Sequence, residues 1–478
     1  MEKDTKSLLL QMFERWAGEE ARSFVMLPPS GSYREYYRIK GREKSAMGVY
    51  NADLKENLAF LEFSDHFKSK GLAVPQVYDR DLGSHIYLQE DLGDVTLYAF
   101  LQGMRPGKDF PKELADFYKK TINNLIQFQI KGGEGLNYNK CYPRQAFDRQ
   151  SMLWDLHYFK YYFLKLARVP FDEQSLEDDY HTLIDFLLEA DHEHFLYRDF
   201  QSRNVMVVDD EPWFIDYQGG RKGALQYDLA SLLYDAKADI PVEVREELLQ
   251  YYMQQLKHYK TVDEQLFVKH YQAYVLIRIM QAMGAYGFRG FYEKKEHFLK
   301  SIPFAIQNLV YLLDTIDFKE QMPTLFAALR NVTESDELKT IGQDNEMLTV
   351  SITSFSFKRG VPIDVSGNGG GFVFDCRAIH NPGRYPEYAD KTGMDEEVIA
   401  FFGQEPEMAE FLQDVYSVVD KSVKKYMSRG FKHLMVNFGC TGGQHRSVFS
   451  AEQLRSYLLK NYKVKVELKH VEQDMKKK

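Results

Sequence analysis

One stretch of the chain, residues 195–218, constrains the fold more than any other. Its apolar segments Val205–Val208 and Trp213–Ile215 are separated by Asp209-Asp210-Glu211, three acidic residues, and Pro212. Two short apolar runs on either side of a polar turn predict a β-hairpin. Such a hairpin brings its two ends together, so we expect Asn204, just before the first strand, to lie beside Asp216, just after the second.

Three polar side chains in this stretch have the order and spacing that phosphoryl transfer requires. Asp199 would accept the proton of an acceptor hydroxyl, and Asn204 and Asp216 would hold Mg²⁺ against the phosphates of ATP. The alternative is an acidic loop beside a buried hairpin, with Asp216 capping the end of a strand. We favour phosphoryl transfer because all three side chains stand at the positions that this chemistry needs.

The same region resembles the aminoglycoside phosphotransferase fold, and most closely the bacterial anomeric kinases that phosphorylate N-acetylmuramate and N-acetylglucosamine at C1. The resemblance is carried by three segments: Tyr197-Arg198-Asp199 with Asn204, Ile215-Asp216-Tyr217-Gln218, and the run Tyr227–Asp235. It implies an α+β two-lobed kinase-like fold that uses ATP and Mg²⁺. Tyr197 stands where the family usually has His, at a position that generally supports the loop. Asp228 is expected to brace the catalytic loop.

Length, charge and cysteine content bound the class of protein. The 478 residues allow two or three domains, and 44% hydrophobic residues indicate a globular chain. A net charge of −9 does not favour binding to nucleic acid or to an anionic membrane. Three widely separated cysteines fit a reducing compartment, and no apolar run has the length of a membrane span. We therefore expect a cytoplasmic protein.

The expected small lobe, residues 1–92, contains the candidate ATP-binding turn. Ser30, Gly31 and Ser32 lie between two predicted strands, where backbone N–H groups can point at phosphates. These residues alone suit an ordinary hairpin turn equally well, and the resemblance favours ATP. The strand residues Ala46–Tyr50 lack the lysine that pairs ATP phosphates in protein kinases.

Two other cations, Arg34 and Lys55, are candidates to replace that lysine. The segment after the strand Ile86–Gln89 is the expected hinge to the large lobe, residues 93–322. Adenine would pair there with the backbone near Gln89 and Asp91.

A helix in the large lobe carries two candidate substrate-binding acids. Asp148 and Asp155 are seven residues apart, which places them on one helical face. Carboxylates on one face suit sugar hydroxyls, although a solvated helix face is the alternative. The resemblance adds support for substrate binding, because Asp155 falls where the sugar kinases have an acidic residue, and both interpretations stay open.

Residues 323–347 are mostly polar and predict a linker, followed by a separate α/β domain at 348–478. A strand pattern at Leu434–Phe438 leads into a glycine-rich loop and then a helical pattern, an arrangement that can bind an anion. The candidate anion-binding residues are Cys440, Thr441, Gly442, Gly443, His445, Arg446 and Ser447. The Cys-to-Arg spacing also fits a cysteine phosphatase, in which a thiolate attacks phosphorus. A tight turn without a ligand is a third possibility.

This loop and its neighbours resemble the C-terminal domain of the RNase adapter protein RapZ. The matching segments are Gly439–Val448, Phe374–Arg377, Asn381-Pro382 and Lys391–Asp395. In that family the domain senses glucosamine 6-phosphate and mediates oligomerisation, so the resemblance implies a phosphosugar ligand and a possible homo-oligomer, and does not imply phosphatase activity.

Together these patterns predict an ATP- and Mg²⁺-dependent amino-sugar kinase of cell-wall recycling, joined to a phosphosugar sensor. Two alternatives remain open. One is a kinase for another hydroxylated acceptor, such as an aminoglycoside or a choline-like alcohol. The other is a non-catalytic sensor or adapter whose kinase fold has become a scaffold.

Overall fold

A computed structural model describes residues 2–28, 34–105, 109–341, 347–364, 370–428 and 431–476. The chain divides into two compact units, Met1–Ile341 and Gly342–Lys478. Among the described residues no helix has the length and apolar character needed to cross a membrane.

The first unit begins with a five-stranded antiparallel sheet in the order β1-β2-β3-β5-β4. Its elements are α1 (Glu2–Ala17), β1 (Ser23–Met26), β2 (Glu35–Lys40), β3 (Ser45–Tyr50), α2 (Leu54–Ser69), β4 (Val77–Asp81) and β5 (Ile86–Glu90). Side chains of a strand alternate between the two faces of a sheet. Ile86 and Leu88 accordingly pack in one cluster with Leu9 of α1, whereas Tyr87 packs in another with Phe60 of α2.

The rest of the first unit is mainly helical and surrounds two short pairs of strands. It comprises α3 (Leu97–Met104), α4 (Lys112–Gln127), α5 (Arg149–Phe159), α6 (Glu173–Leu188), β6 (His194–Leu196), β7 (Val205–Val208), β8 (Glu211–Phe214), β9 (Arg221–Gly223), α7 (Leu225–Leu233), α8 (Val242–Leu256), α9 (Glu264–Tyr286), α10 (Glu296–Leu299), α11 (Ile302–Thr315), α12 (Pro323–Glu334) and α13 (Asp336–Thr340). Strands β7 and β8 form the expected antiparallel hairpin. Strands β6 and β9 form the second pair.

The expectation of a linker at 323–347 needs correction. Helices α12 and α13 occupy most of the described part of this segment. Leu325, Leu329 and Val332 recur at helical spacing and are fully buried in the core of the first unit. The polar residues between them form the outer face of an amphipathic helix, which is why the segment has the composition of a linker.

The second unit is an α/β domain, as predicted. Its elements are β10 (Thr349–Ser356), β11 (Phe372–Asp375), α14 (Glu396–Gly403), α15 (Pro406–Ser428), β12 (His433–Cys440), α16 (Arg446–Asn461), β13 (Lys465–His470) and α17 (Val471–Lys476). The four strands are parallel and lie in the order β11-β12-β10-β13. The chain leaves β10 toward one edge of the sheet and leaves β12 toward the other. The carboxyl ends of these two strands therefore form a topological switch point, where ligands bind in open α/β sheets.

Candidate functional site

The loop after β6 is held in place by Asp228 of α7. The Asp228 carboxylate accepts hydrogen bonds from the backbone amides of Tyr197 (2.7 Å) and Arg198 (2.9 Å). Arg198 adopts a left-handed backbone conformation with φ of 82°. Two amide donors to one carboxylate offset part of the cost of that conformation. The expected bracing role of Asp228 is confirmed, and burial raises its pKa to about 7.

Tyr197 has a supporting role in this structure. Its side chain is 1% exposed, and its hydroxyl donates to the carbonyl oxygen of Ile215 at 2.6 Å. This bond ties the catalytic loop to the residue just before Asp216. The substitution of Tyr for the usual His thus falls on a structural position.

The β7–β8 hairpin brings Asn204 and Asp216 together. Asn204 Nδ2 lies 3.2 Å from Asp216 Oδ2 and also donates to the backbone oxygen of Asp199 at 2.9 Å. Gln218, which the sequence pattern did not single out as a site residue, donates through Nε2 to Asp216 Oδ1 at 2.6 Å. Burial, and after it the charge of Asp199, raises the pKa of Asp216. The three predicted side chains thus converge on one site.

This donor set fits Mg²⁺. Asp216 is partly buried, and the charge of Asp199 disfavours its ionised form while the charge of Arg34 offsets this only in part. A divalent ion would supply further compensation. Mg²⁺ prefers oxygen ligands and is held in kinases by one or two protein side chains together with phosphates. In the described parts of the chain no group of three or more His, Cys, Asp or Glu forms a self-sufficient metal site. Such a group is not needed where phosphates complete the coordination.

Arg34 lies at the amino-terminal side of β2 and is 4% exposed. Its Nη2 atom is 3.4 Å from Oε1 of Glu56 on α2, so a strand cation and a helix acid form an ion pair. The Arg34 charge lowers the pKa of Asp216, which indicates that the two are near each other. Lys55, the other candidate, instead extends over the Tyr142 ring at 5.9 Å from its centroid. Of the two candidates, Arg34 is the one whose charge acts on Asp216, and its role toward ATP stays a prediction. Ser30, Gly31 and Ser32 lie outside the described residues.

The hinge after β5 is fixed by ion pairing. The Asp91 carboxylate is 2.9 Å from Arg38 Nε and accepts a hydrogen bond from the Ser45 hydroxyl at 2.9 Å. Gln89 is buried within β5 and pairs with Met47 of β3. The Asp91 side chain is thus bonded within the hinge segment, and the pairing of adenine with the backbone near Gln89 and Asp91 stays a prediction.

The two candidate substrate acids have different surroundings. Asp148 caps α5 by accepting from the Ser151 amide at 3.0 Å, and it pairs with Arg144. Asp155 is 8% exposed, and its Oδ1 atom accepts from Arg198 Nη2 at 2.7 Å. Asp155 is therefore joined to the catalytic loop, whereas Asp148 serves the start of its helix. Asp148 immediately precedes α5, at the position where Asp commonly caps a helix, so the sequence contained this indication.

The loop after β12 lies at the switch point of the second unit. The Ser356 hydroxyl at the end of β10 donates to the Thr441 carbonyl at 2.7 Å, which links the two strand ends. The Gly443 amide donates to Cys440 Sγ at 3.1 Å, and Ser447 Oγ is 3.2 Å from the same sulfur. Cys440 is 3% exposed, so its thiol is part of the loop's interior. Thr441 and Gly442 are the exposed residues of the loop.

His445 and Arg446, expected to face an anion, are buried and bonded to backbone carbonyls. Arg446 Nη1 donates to Arg377 at 2.8 Å and to Ile379 at 2.9 Å. His445 Nε2 lies 2.8 Å from the carbonyl oxygen of Tyr388. These side chains fix the segment that follows β11 against the loop, and this use of them could not be predicted from the loop sequence.

Comparison with protein families agrees with both units. A model described as "Phosphotransferase enzyme family" matches residues 19–264, and one described as "RapZ C-terminal domain" matches residues 348–474. The first match covers more than half of the chain. The chain therefore belongs to the phosphotransferase enzyme family, and it carries a RapZ-type C-terminal domain. The predicted kinase-like α+β fold and separate α/β domain are confirmed.

Curated relatives share part of the chain. A nucleotide-binding protein of Psychrobacter sp. (strain PRwf-1) is 34% identical over 218 residues, which are 45% of this chain and 64% of that protein. A nucleotide-binding protein of Thermotoga sp. (strain RQ2) is 41% identical over 112 residues, 23% of this chain and 38% of that one. The chain thus spans less than two thirds of the length of these relatives.

Solved structures with a similar fold include kinases of small alcohols. Choline kinase LicA from Streptococcus pneumoniae has a TM-score of 0.44 and 14% identity, with 64% of this chain and 99% of that chain covered. An ethanolamine kinase from Plasmodium vivax has a TM-score of 0.44 and 13% identity, with coverages of 61% and 82%. At these values the similarities carry no conclusion about the acceptor.

Proposed function

We propose that the first unit is an ATP- and Mg²⁺-dependent kinase that phosphorylates an amino sugar of the N-acetylmuramate or N-acetylglucosamine type in cell-wall sugar recycling. The observation that carries the proposal is the 3.2 Å contact between Asn204 Nδ2 and Asp216 Oδ2, with Asn204 also bonded to the backbone of Asp199. This arrangement places a candidate base and two candidate metal ligands in one cluster. The free, buried cysteines fit the cytoplasm as the place of action.

Each residue of the cluster has a chemical role. Asp199 accepts the proton of the acceptor hydroxyl as that oxygen attacks the terminal phosphorus of ATP. Asn204 and Asp216 would hold Mg²⁺, which neutralises phosphate charge when bound. Arg34, kept in place by Glu56, donates to the phosphates. This partly buried ion pair orients the guanidinium before the nucleotide binds.

The proposed acceptor atom is the anomeric oxygen of the sugar. This choice follows the resemblance to anomeric sugar kinases and the position of Asp155 beside the catalytic loop. Phosphorylation at C1 blocks the reducing end, so the reducing-sugar signal should fall in step with ADP release. ADP release from a sugar that keeps its full reducing signal would show that another hydroxyl is phosphorylated.

The rival acceptors are choline-like alcohols and aminoglycosides. A panel of sugars, choline and aminoglycosides with ATP and Mg²⁺ tests the proposal, with phosphorus NMR to locate the new phosphate. Turnover of N-acetylated sugars above the other acceptors supports it. Turnover of choline or an aminoglycoside alone would overturn the choice of acceptor, and no turnover of any acceptor would favour the non-catalytic alternative.

For the second unit we propose binding of a phosphosugar such as glucosamine 6-phosphate at the switch point, and self-association. The exposed Thr441 and Gly442 offer a hydroxyl and backbone amides there, while the buried Cys440 speaks against phosphatase chemistry. Calorimetric titration of the full chain should show weaker binding in Thr441→Val, and Ser428→Ala on the exposed end of α15 is the matched control. Release of free phosphate that depends on Cys440 would overturn the sensor in favour of a phosphatase.

A further inference from the structure

Arg221, the first residue of β9, lies beside the catalytic loop. In the β6–β9 pair it stands opposite Leu196, two positions before Arg198. Its Nε atom donates to the carbonyl oxygen of Gly219 at 3.0 Å, and the residue is 7% exposed. A guanidinium is thus held at a fixed position in a largely buried environment.

The peptide that anchors Arg221 borders the catalytic carboxylate. A Cβ atom placed on Gly219 would lie 3.7 Å from Asp199 Oδ2. Burial, and after it the charge of Arg198, lowers the pKa of Arg221. The charges of Asp199 and Asp155 oppose this shift without cancelling it. Arg221 is therefore close enough to the proposed reaction centre to act on a bound acceptor.

The two neighbouring arginines differ in their partners. Arg198 donates to Asp155 at 2.7 Å and to the Tyr227 hydroxyl at 2.7 Å, so its terminal nitrogens are engaged. Within the described ranges, neither Nη group of Arg221 donates to a protein acceptor. Neither Nη atom is among the described buried atoms that have no partner, so both are open to solvent and can donate to a bound ligand.

An unfilled acceptor lies in the same cluster. Asp155 Oδ2 is buried and accepts no hydrogen bond from any described residue. A sugar hydroxyl can donate to a carboxylate and accept from a guanidinium at the same time. A compound with several hydroxyls therefore suits both unfilled groups.

We propose that Arg221 and Asp155 recognise the acceptor. Arg221 donates to one of the acceptor's oxygens, and Asp155 Oδ2 accepts from one of its hydroxyls. The site therefore selects neutral or anionic polyhydroxyl compounds and rejects cationic ones. The inference rests on the proposed kinase function and narrows its acceptor class. Arg198 is neutralised by Asp155, but Arg221 has no anionic partner at ion-pair distance among the described residues. A cationic amine placed next to the Arg221 guanidinium would be repelled by it, whereas the oxygens of a neutral or anionic acceptor can accept its N–H groups.

The test compares N-acetylglucosamine with glucosamine, whose ring is the same but whose amine is cationic. The wild-type protein should prefer the N-acetylated sugar in kcat/KM. Arg221→Gln should raise KM for N-acetylglucosamine at least tenfold, leave KM for ATP within twofold, and reduce the preference over glucosamine at least fivefold. Arg221→Lys, which keeps the charge, should restore most of the preference. Lys222→Gln, next to it on β9 and paired with Glu193 at the surface, should change none of these values.

Two further measurements separate the possible failures. ATP affinity and thermal unfolding show whether Arg221→Gln still folds, and Arg221→Lys replaces it if it does not. Calorimetry measures the affinity for both sugars separately from turnover. Absence of turnover with intact sugar binding would overturn the kinase proposal alone. The assignment of Arg221 would be overturned if wild type and Arg221→Gln preferred N-acetylglucosamine over glucosamine equally. It would also be overturned if sugar affinity did not depend on Arg221.

Discussion

Asn204 Nδ2 and Asp216 Oδ2 lie 3.2 Å apart although twelve positions separate the two residues in the chain. The contact follows from the β7–β8 hairpin, whose turn residues Asp209 and Asp210 have φ values of 49° and 60°. Two consecutive left-handed residues form the tight turn that matches the twist of paired strands. The turn thus sets the register, and the register brings the two side chains together.

The pair should bind nucleotide through the metal. Asp216→Asn keeps the shape of the side chain and removes its charge, so affinity for ATP should fall in the presence of Mg²⁺ and change little in EDTA. Loss of a charge-assisted interaction of about 1.5–3 kcal/mol corresponds to roughly ten- to a hundredfold. Calorimetry under both conditions makes the comparison. Equal losses with and without Mg²⁺ would contradict a role as metal ligand.

Glu56 should matter through Arg34. Glu56→Gln removes the charge that pairs with the Arg34 guanidinium, whose Nη2 lies 3.4 Å from Glu56 Oε1. We expect kcat to fall about tenfold or more and KM for ATP to rise, because the cation loses its orientation. Glu62→Gln, at an exposed position of the same helix, is the control. Steady-state kinetics that are the same for both variants would remove Arg34 from the proposed phosphate site.

Asp228 should give the protein a characteristic dependence on pH. Burial raises its pKa to about 7 in the folded state, above the ordinary value of 3.8. The folded protein therefore binds the proton more tightly, and this contribution to stability is fully present below pH 4 and is lost as pH rises to about 7. Urea unfolding of wild type and Asp228→Asn across this range measures it. The difference between the two free energies of unfolding should change with pH in that direction, and a constant difference would contradict the shift.

Arg446 should support the second unit as well as any ligand. Its guanidinium donates to the carbonyls of Arg377 and Ile379, so Arg446→Ala leaves both without their buried donor. Each charge-assisted bond is worth about 1.5–3 kcal/mol. We expect a clear drop in the unfolding temperature of this unit, with little change for Arg455→Ala on the exposed side of α16. If Arg446→Ala instead bound the phosphosugar more weakly at unchanged stability, Arg446 would be a ligand-binding residue as the sequence predicted.

Local patterns were sufficient for much of the fold. The hairpin predicted from Val205–Val208 and Trp213–Ile215 forms as β7 and β8, and its ends bring Asn204 beside Asp216 as expected. The signal is contained in adjacent residues, two short apolar runs on either side of a polar turn.

The choice of partner for a polar side chain depended on tertiary structure. Asp148 and Asp155 lie seven residues apart and were predicted to act alike, yet Asp148 caps a helix and Asp155 pairs with Arg198. Likewise, the composition of α12 predicts a polar linker, whereas in the structure its apolar residues pack in the core of the first unit. Such outcomes depend on which distant elements pack together, and no local pattern contains that information.

The most direct test of the account is the turnover of Asp199→Asn. The substitution keeps the size of the side chain but removes the base, so kcat should fall by about 10²–10⁴-fold while ATP affinity stays close to that of wild type. Asp210→Asn, in the nearby hairpin turn, should behave as wild type. ADP release and sugar phosphate formation are measured together in all three proteins. Wild-type turnover by Asp199→Asn would contradict the assignment of this site as a kinase active site.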